Sequence, residues 1–299
     1  MTGICYIELE HRGVLAVTGA DAAEFLQGLV SNDIALVGED RVVYAALLTP
    51  QGKYLHDFMI AREAGAFLLD CEGGRLMDLG QRLGAYRLRA NIELLDATED
   101  WRVVALLGDG VEARLGLTLS EPGAAAALEG GGLIYCDPRP QMPGLRAFVP
   151  RDCGFERLEA AGISAGKVAD YERARIAASV PDGNRDMTVN KSTLMEFGFE
   201  ALRGVDFEKG CYVGQELTAR TKYRGLVRRR LQRVFVDGAL PAPGTPIMAN
   251  DKEVGEICSG VDDQALALLR VDRSAEAEAA GITLTAGKVT LRLPENDSA

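Results

Sequence analysis

One cysteine stands in a segment whose residue types favour a reactive thiol. Residues 209–216 read Lys-Gly-Cys-Tyr-Val-Gly-Gln-Glu, which places Cys211 between two glycines. Glycines allow the backbone to turn tightly and leave the thiol uncovered. Several nearby cations would favour the thiolate over the thiol: Lys209, Arg220, Lys222 and Arg224. The alternative is a buried structural cysteine, which behaves as a small hydrophobe. The electropositive surroundings favour the reactive thiol.

Three chemistries are open to such a thiolate: a transient iron or cluster ligand, a nucleophile, or a redox thiol. The chain has two histidines, His11 and His56, and neither is close to Cys211 in sequence. A catalytic triad is therefore disfavoured, although His56 could still approach in space. The six cysteines are at least 17 positions apart, so their spacing predicts neither a self-contained zinc site nor a four-cysteine cluster site. Any cluster chemistry would be carried out together with a partner.

The segment from residue 209 to residue 233 is strongly basic within an acidic chain. Its cations are Lys209, Arg220, Lys222, Arg224, Arg228, Arg229, Arg230 and Arg233. One interpretation is a solvated face, which is the usual fate of a charge run. The other is a site for a polyanion. Of the aromatic residues that could stack on bases, the segment has Tyr212 and Tyr223 close to these cations, so the pattern gives little support to a nucleic-acid interface.

Composition limits the classes of protein that remain. The chain has 299 residues, of which 47% are hydrophobic and 26% charged, with a formal net charge of −11. These proportions are ordinary for a soluble globular protein of two or three domains. The acidic balance argues against general affinity for nucleic acid or for an anionic membrane. We find no secretory signal at the start and no apolar run long enough to span a bilayer. We therefore expect a cytoplasmic protein with free thiols and no membrane partner.

The pattern of apolar residues predicts an α+β protein that ends in a β-domain. Strands and helices alternate through the first hundred residues, with Asp21 expected to cap the first helix. The pattern begins again near residue 101, and residues 121–132 are predicted to be a surface connection. We interpret residues 108–110 as a turn and not as a nucleotide loop, because a lone G-x-G is a weak signal. The predicted domains are residues 1–98, 99–225 and 226–299, the last a small β-barrel.

Residues 209–216 resemble the K-G-C-[FY]-x-G-Q-E motif of the YgfZ family, folate-binding proteins related to the glycine-cleavage T-protein. The continuation through residue 221 resembles the branch that includes the mitochondrial iron–sulfur cluster assembly factors. Residues 25–33, 47–53 and 171–178 resemble other segments of the family in the same order. The resemblance implies two related α+β domains and a C-terminal β-barrel around a central folate-sized hole.

The family resemblance implies tetrahydrofolate as cofactor and assistance in assembling or repairing four-iron–four-sulfur clusters, with assembly proteins and client enzymes as partners. Activity should depend most on Cys211 and Lys209. The expected folate contacts are Asn32, Asp33, Tyr54, Asp57, Tyr212, Gln215, Glu216, Arg220 and Arg224, and Asn32 with Asp33 can also be read as a structural Asx cap. A folate-dependent aminomethyltransferase is the second interpretation. It is disfavoured because the acidic pair of the T-protein hairpin reads His56-Asp57 here. A binding protein for tRNA modification is the third.

Overall fold

The computed structural model describes residues 3–119, 121–128, 131–153, 155–225 and 227–294. Its N-terminal part consists mainly of strands joined by short turns. In chain order the strands and helices are β1 (Cys5–Glu8), β2 (Arg12–Thr18), α1 (Ala22–Gln27), β3 (Val43–Leu48), β4 (Tyr54–Glu63), β5 (Ala66–Glu72), α2 (Leu76–Tyr86) and β6 (Glu93–Asp96). A short 3₁₀ turn at Ile34–Leu36 follows α1, and another at Gly73–Arg75 precedes α2.

Strands β2 to β6 form one antiparallel sheet in the order β3-β4-β5-β2-β6. Helix α2 buries Leu76, Leu79 and Leu83 in the hydrophobic core on one face of this sheet. These leucines are three and four residues apart, which places them on one side of a helix. Asp21 is the N-cap residue of α1, as predicted, but its carboxylate makes no capping hydrogen bond and instead accepts the backbone N–H of Asn91 at 2.7 Å.

The second part of the chain builds a six-stranded sheet. Its elements are β7 (Trp101–Leu107), α3 (Val111–Arg114), β8 (Ala125–Ala127), β9 (Leu133–Cys136), β10 (Leu145–Pro150), α4 (Glu156–Ala160), β11 (Ser164–Ala165), α5 (Val168–Ala177) and α6 (Gly183–Asp186), with 3₁₀ turns at Arg151–Cys153 and Leu194–Phe197. The sheet order is β11-β1-β7-β10-β9-β8. Strand β1 therefore belongs to the sheet of the second part, although its residues lie within the predicted first domain, residues 1–98. Strand β8 lies inside the predicted surface connection and pairs with β9, which corrects that prediction.

The last part of the chain begins with a helix and continues into a closed barrel. Its elements are α7 (Gln215–Arg224), β12 (Arg229–Asp237), β13 (Pro246–Ala249), β14 (Lys252–Val261), β15 (Gln264–Arg270), α8 (Val271–Ala279), β16 (Leu284–Ala286) and β17 (Val289–Arg292). The barrel order is β12-β15-β14-β13-β16-β17. Closure leaves no unpaired sheet edge in this unit. The predicted fold class, α+β units followed by a C-terminal β-barrel, is confirmed.

A buried ionic group joins the two sheets. Asp70 on β5 accepts from Arg12 Nε at 2.6 Å and also from Arg146 on β10, and Arg146 donates to the Tyr171 hydroxyl at 3.1 Å. Burial opposes ionisation of Asp70, but the two guanidinium groups outweigh it and hold its pKa below the usual value. The sheets are therefore locked together by charge as well as by their shared apolar core. Within the described ranges, no helix is both long enough and apolar enough to cross a membrane.

Candidate functional site

The segment that carries Cys211 is held on both sides by contacts to the end of α1. The backbone N–H of Asp206 donates to Ser31 O at 3.0 Å, and that of Val213 donates to Gly28 O at 3.1 Å. Between them, the Asp206 carboxylate accepts the backbone N–H groups of Glu208 and Lys209 at 2.6 and 3.0 Å. These bonds fix the path of the chain through the whole motif.

Lys209 is bound to backbone and not directed to the thiol. Its Nζ donates to three carbonyl oxygens, those of Gln27, Val30 and Asn32, at 2.8, 2.7 and 2.8 Å. An ammonium has three N–H donors, so all of them are used. Burial lowers the pKa of Lys209 to about 8, and the carboxylates of Asp33 and Asp206 partly offset this effect. The contacts thus differ from the predicted role in activating the thiol: Lys209 binds the carbonyl of the last residue of α1 and two carbonyls of the segment that follows the helix.

Cys211 is exposed, as the flanking glycines predict. Gly210 has φ +93°, a conformation that favours glycine, and nothing lies within 4 Å of the position where its Cβ would be. The next residue, Tyr212, is buried, and burial raises its pKa to about 12. The thiol therefore projects from a backbone that is anchored immediately after it.

The remaining cysteines have different environments. Cys5, Cys71 and Cys258 are buried, Cys136 is half-buried and Cys153 is exposed. Burial raises the pKa of Cys71 to about 12, so this buried thiol is a poor nucleophile. No disulfide joins any of the six, all of which lie in the described ranges. Among the described residues there is also no group of three or more His, Cys, Asp or Glu side chains that could hold a metal ion.

His56 is engaged away from the thiol. It is buried on β4 and its Nε2 lies 2.8 Å from Asp78 Oδ2 on α2. Burial, together with the nearby Arg75, lowers its pKa to about 4, although Asp78 opposes this. The possibility that His56 completes a triad with Cys211 finds no support in these contacts.

The motif docks closely on the hairpin turn between β3 and β4. A Cβ on Gly214, at φ +85°, would lie 2.4 Å from Thr49 O, and one on Gly52, at φ +76°, would lie 2.6 Å from Leu217 Cβ. Contacts this short are possible only for glycine. Helix α7 starts at the next residue, Gln215, whose side chain accepts the backbone N–H of Tyr212 at 3.2 Å. The glycines therefore have a packing role, and Gln215 has a structural one.

The basic run divides into paired and unpaired cations. Lys222 binds Glu200 at 2.9 Å and lies 3.8 Å from the ring centroid of Phe207. Arg229 binds Glu196 at 2.9 Å. In the part of the chain that the structure describes, several exposed arginines make no ion pair: Arg220, Arg224, Arg228 and Arg230. Glu216 is also exposed. The run is therefore partly a salt-bridged face and partly a row of available cations.

The hairpin carboxylate is enclosed by tyrosines. The hydroxyl of Tyr44 donates to Asp57 Oδ2 at 2.9 Å and that of Tyr54 donates to Asp57 Oδ1 at 2.7 Å. All three residues are at most 6% exposed. Burial, followed by the Asp57 charge, raises the pKa of both tyrosines well above 10, so each hydroxyl stays a donor. Tyr54 and Asp57 are interior groups and do not open onto solvent.

Asn32 and Asp33 have structural contacts. Asn32 Nδ2 donates to Tyr44 O and Arg203 O, both at 2.7 Å. Asp33 Oδ1 accepts the backbone N–H of Ala35 at 3.0 Å, which is the predicted Asx cap. Asn32 in addition lines an open cavity of about 450 Å³.

This 450 Å³ cavity, called here the Asn32 cavity, combines aromatic, acidic and cationic groups. Its walls include Tyr44, Phe207, Asp206, Arg203, Arg41 and Lys222. The structure thus brings Asn32 together with Lys222, but Arg220 and Arg224 are not part of this lining. Sequence reasoning missed Tyr44, Arg203 and Phe207. Of these three residues, Phe207 is the one that the sequence could have indicated, because it lies two residues before Lys209.

The two sheets and the closed barrel together define a fold of the T-protein type. The chain superimposes on the aminomethyltransferase T of the Bartonella henselae glycine cleavage system with a TM-score of 0.77. The match covers 97% of this chain and 84% of that one, at 19% identity. This likeness establishes the fold. Family models agree: GCVT N-terminal domain matches residues 2–120, and CAF17 C-terminal beta-barrel domain matches residues 228–298.

Sequence relatives narrow the class. The human protein named iron–sulfur cluster assembly factor IBA57, mitochondrial, is 33% identical over 279 residues, covering 87% of this chain and 76% of its own length. The mouse protein of the same name is 31% identical over 284 residues, covering 88% and 76%. The chain belongs to the CAF17/IBA57 family.

The cytoplasmic location predicted from the sequence is contradicted by these relatives. Both the human and the mouse protein carry the word mitochondrial in their names, as do the relatives from Mycosarcoma maydis and Dictyostelium discoideum. The first residues of the sequence were insufficient ground for that prediction.

Proposed function

We propose that this protein assists the assembly or repair of iron–sulfur clusters in client enzymes, and that this activity depends on Cys211. The observation that carries the proposal is the exposed thiol on an anchored backbone. Lys209, two residues before it, is bound to three carbonyls, and Tyr212, directly after it, is buried. Such anchoring positions a ligand without requiring a loop to become ordered when the cluster arrives.

Cys211 would supply one ligand of a cluster that is shared with a partner. Clusters of the four-iron type are usually held by four thiolates, and Cys211 is one thiol without a second cysteine in its motif. The remaining ligands would come from an assembly protein or from the client. We also propose, from the resemblance of residues 209–216, that the protein is related to the YgfZ family in particular.

The test compares two exposed cysteines. Cells that lack the protein are complemented with the wild type, Cys211→Ala or Cys153→Ala, and the activity of a four-iron–four-sulfur enzyme is measured. We expect Cys211→Ala to fold normally, to accumulate to wild-type levels and to leave client activity at the level of the empty vector. Cys153→Ala should restore activity. Full complementation by Cys211→Ala would refute the proposed role of this thiol.

We also propose that the Asn32 cavity binds tetrahydrofolate. Its volume of about 450 Å³ falls in the range of small-molecule sites. Phe207 provides an aromatic wall for a pterin beside the buried Tyr44. The exposed Arg203 provides a cation for a glutamate carboxylate, whereas Arg41 is already paired with Glu121 at 3.3 Å. Bound folate would supply a one-carbon carrier. Asp57 would act on it through Tyr44 and not directly, which weighs against an aminomethyltransferase.

The folate proposal is tested by calorimetric titration with tetrahydrofolate, with the fluorescence of Trp101 followed in parallel. We expect saturable binding that Arg203→Gln weakens several-fold, with an effect that shrinks at high salt. Arg89→Gln, an exposed arginine outside this cavity, is the matched control. No binding at millimolar ligand would remove folate from the function while leaving the role of Cys211 standing. Formation of methylene-tetrahydrofolate, with release of ammonia, after an aminomethyl donor is added to the same samples would instead support the transferase interpretation.

A further inference from the structure

A second and larger cavity lies where the barrel meets the rest of the chain. It has a volume of about 750 Å³ and is called here the barrel-side cavity. Its walls come from the 3₁₀ turn Leu194–Phe197 and the residues after it, the end of α7, and the start of β12. Neither the family motif nor the folate proposal makes use of it.

The barrel-side cavity has an apolar floor. Phe197, Leu202 and Leu231 line it and are each less than 10% exposed. Met195 is also buried in this floor, and Val271, which is 41% exposed, lines the same cavity. Displacing water from such a floor costs little free energy because few hydrogen bonds are lost. An apolar ligand that takes its place is stabilised by about 25 cal/mol for each Å² of apolar surface that it buries.

Two cations stand among the lining residues. Lys222 is already paired with Glu200, and both of these residues also line the Asn32 cavity, so their ion pair is part of the wall between the two. Arg230 is exposed and makes no ion pair with the described residues. A smaller cavity of about 300 Å³ shares Arg230 and Leu231 and continues past them to Arg233. The guanidinium of Arg230 is therefore available, with space beside it.

We propose that the barrel-side cavity binds a small amphipathic organic anion, with its apolar body on the floor and its acidic head group at Arg230. A cavity of 300–1,000 Å³ with apolar walls and a few charged groups is typical of a small-molecule site. A guanidinium fork suits a carboxylate or sulfonate, which it can bind with two parallel hydrogen bonds. The site is separate from the proposed folate site and does not depend on it.

The test uses a matched pair of fluorescent probes on the full-length protein. 8-Anilinonaphthalene-1-sulfonate has an apolar body with an anionic group, and N-phenyl-1-naphthylamine has a similar body without the charge. We expect Arg230→Gln to weaken binding of the sulfonate about tenfold and to leave binding of the neutral probe unchanged. Arg228→Gln, an exposed arginine two residues away that does not line the cavity, should alter neither.

The location is tested by filling the cavity. Ala201 is exposed and lines it, so Ala201→Trp should abolish binding of both probes without changing the melting temperature or the far-ultraviolet circular dichroism. Ala113→Trp, an exposed alanine on α3, is the control for the added indole. Probe binding that survives Ala201→Trp, or equal loss of both probes in Arg230→Gln, would overturn the proposal.

Competition identifies the class of anion. Displacement of the sulfonate probe by decanoate supports a chain-like carboxylate, and displacement by 2-naphthoate supports an aromatic one. Displacement by neither, with both present at millimolar concentration, would contradict a carboxylate site. Tetrahydrofolate at a concentration that saturates its own heat signal should leave the probe bound, and its displacement of the probe would refute a separate site.

Discussion

Lys209 and Cys211 are two residues apart, and their side chains have different tasks. The lysine ammonium is held 2.7–2.8 Å from three carbonyl oxygens, whereas the thiol is exposed. A charged donor to buried carbonyls contributes more to stability than a neutral one. Lys209 is therefore a residue that positions the thiol by holding residues 206–213 against the end of α1.

This assignment predicts the behaviour of Lys209→Met. The variant keeps the apolar stem but leaves three carbonyls without their donor, and we expect it to lower the free energy of unfolding by roughly 2–4 kcal/mol. Urea denaturation measures this loss. The rate at which iodoacetamide alkylates Cys211 in the folded variant, measured in a background without Cys153, should stay within twofold of wild type. A tenfold fall in that rate at unchanged stability would instead indicate that Lys209 activates the thiol.

The sequence allowed the exposure of Cys211 to be predicted, but not the partners of Lys209. Exposure follows from a local cause, because Gly210 adopts a positive φ next to the thiol. The three carbonyls come from residues 27–32, about 180 positions earlier in the chain. No local pattern indicates a contact over that separation. Lys209 was therefore assigned to the thiol, which is its near neighbour in sequence.

Among the elements, α7 escaped prediction for a physical reason. Thr218 is the one buried residue among the ten of this helix. The apolar periodicity that reveals a helix is therefore absent. The helix is instead defined by its ends: Gly214 precedes it at φ +85° and Gly225 follows it at φ +61°. Glycine in the left-handed region is a common helix terminator. Strands such as β7, with five consecutive buried residues, were by contrast predictable from the sequence.

The docking of α7 on the hairpin predicts a difference between two glycines. Gly210 and Gly214 both have positive φ, so alanine at either strains the backbone by about 1–2 kcal/mol. A Cβ at Gly210 meets nothing, whereas a Cβ at Gly214 would lie 2.4 Å from Thr49 O and 2.8 Å from Leu48 Cβ. We expect Gly210→Ala to show the backbone cost alone.

Gly214→Ala should be less stable than Gly210→Ala by about 2 kcal/mol, because the added Cβ forces the β3–β4 turn and helix α7 apart. Thermal and urea unfolding of the two variants measure the difference directly. Limited proteolysis should cut Gly214→Ala within residues 209–224 faster than wild type. Equal stability of the two variants would show that the hairpin does not hold the motif in place.

At the scale of the whole molecule, contacts between distant segments join the units. Strand β1 stands first in the chain but belongs to the second sheet, where it pairs with β7 and β11. Residues of both sheets and of the barrel share one core, which includes Tyr44, Phe148 and Leu268. Such long-range pairings leave no trace in local periodicity, so the order of elements was predictable while the sheet membership of β1 was not.

The ionic group at the centre of this arrangement predicts a strong effect of Asp70→Asn. The substitution removes the carboxylate that Arg12 and Arg146 share, while Asp182 stays 4.0 Å from Arg12 as a more distant partner. Breaking a buried pair in this way costs about 3–5 kcal/mol. Asp251→Asn, at an exposed position near the barrel, should change stability by less than about 0.5 kcal/mol.

The pKa of Asp70 is depressed in the folded protein, so its contribution is complete above pH ~4 and is lost as the pH falls through the lower folded value. The difference between wild type and Asp70→Asn should therefore shrink on acidification below pH ~4.

Replacing Arg12, Asp70 and Arg146 together by Met, Leu and Met should recover most of the stability, because an apolar group of similar volume requires no charge partner. If the triple variant is as unstable as Asp70→Asn, unpaired charge is not the cause and loss of shape at the junction of the two sheets must be.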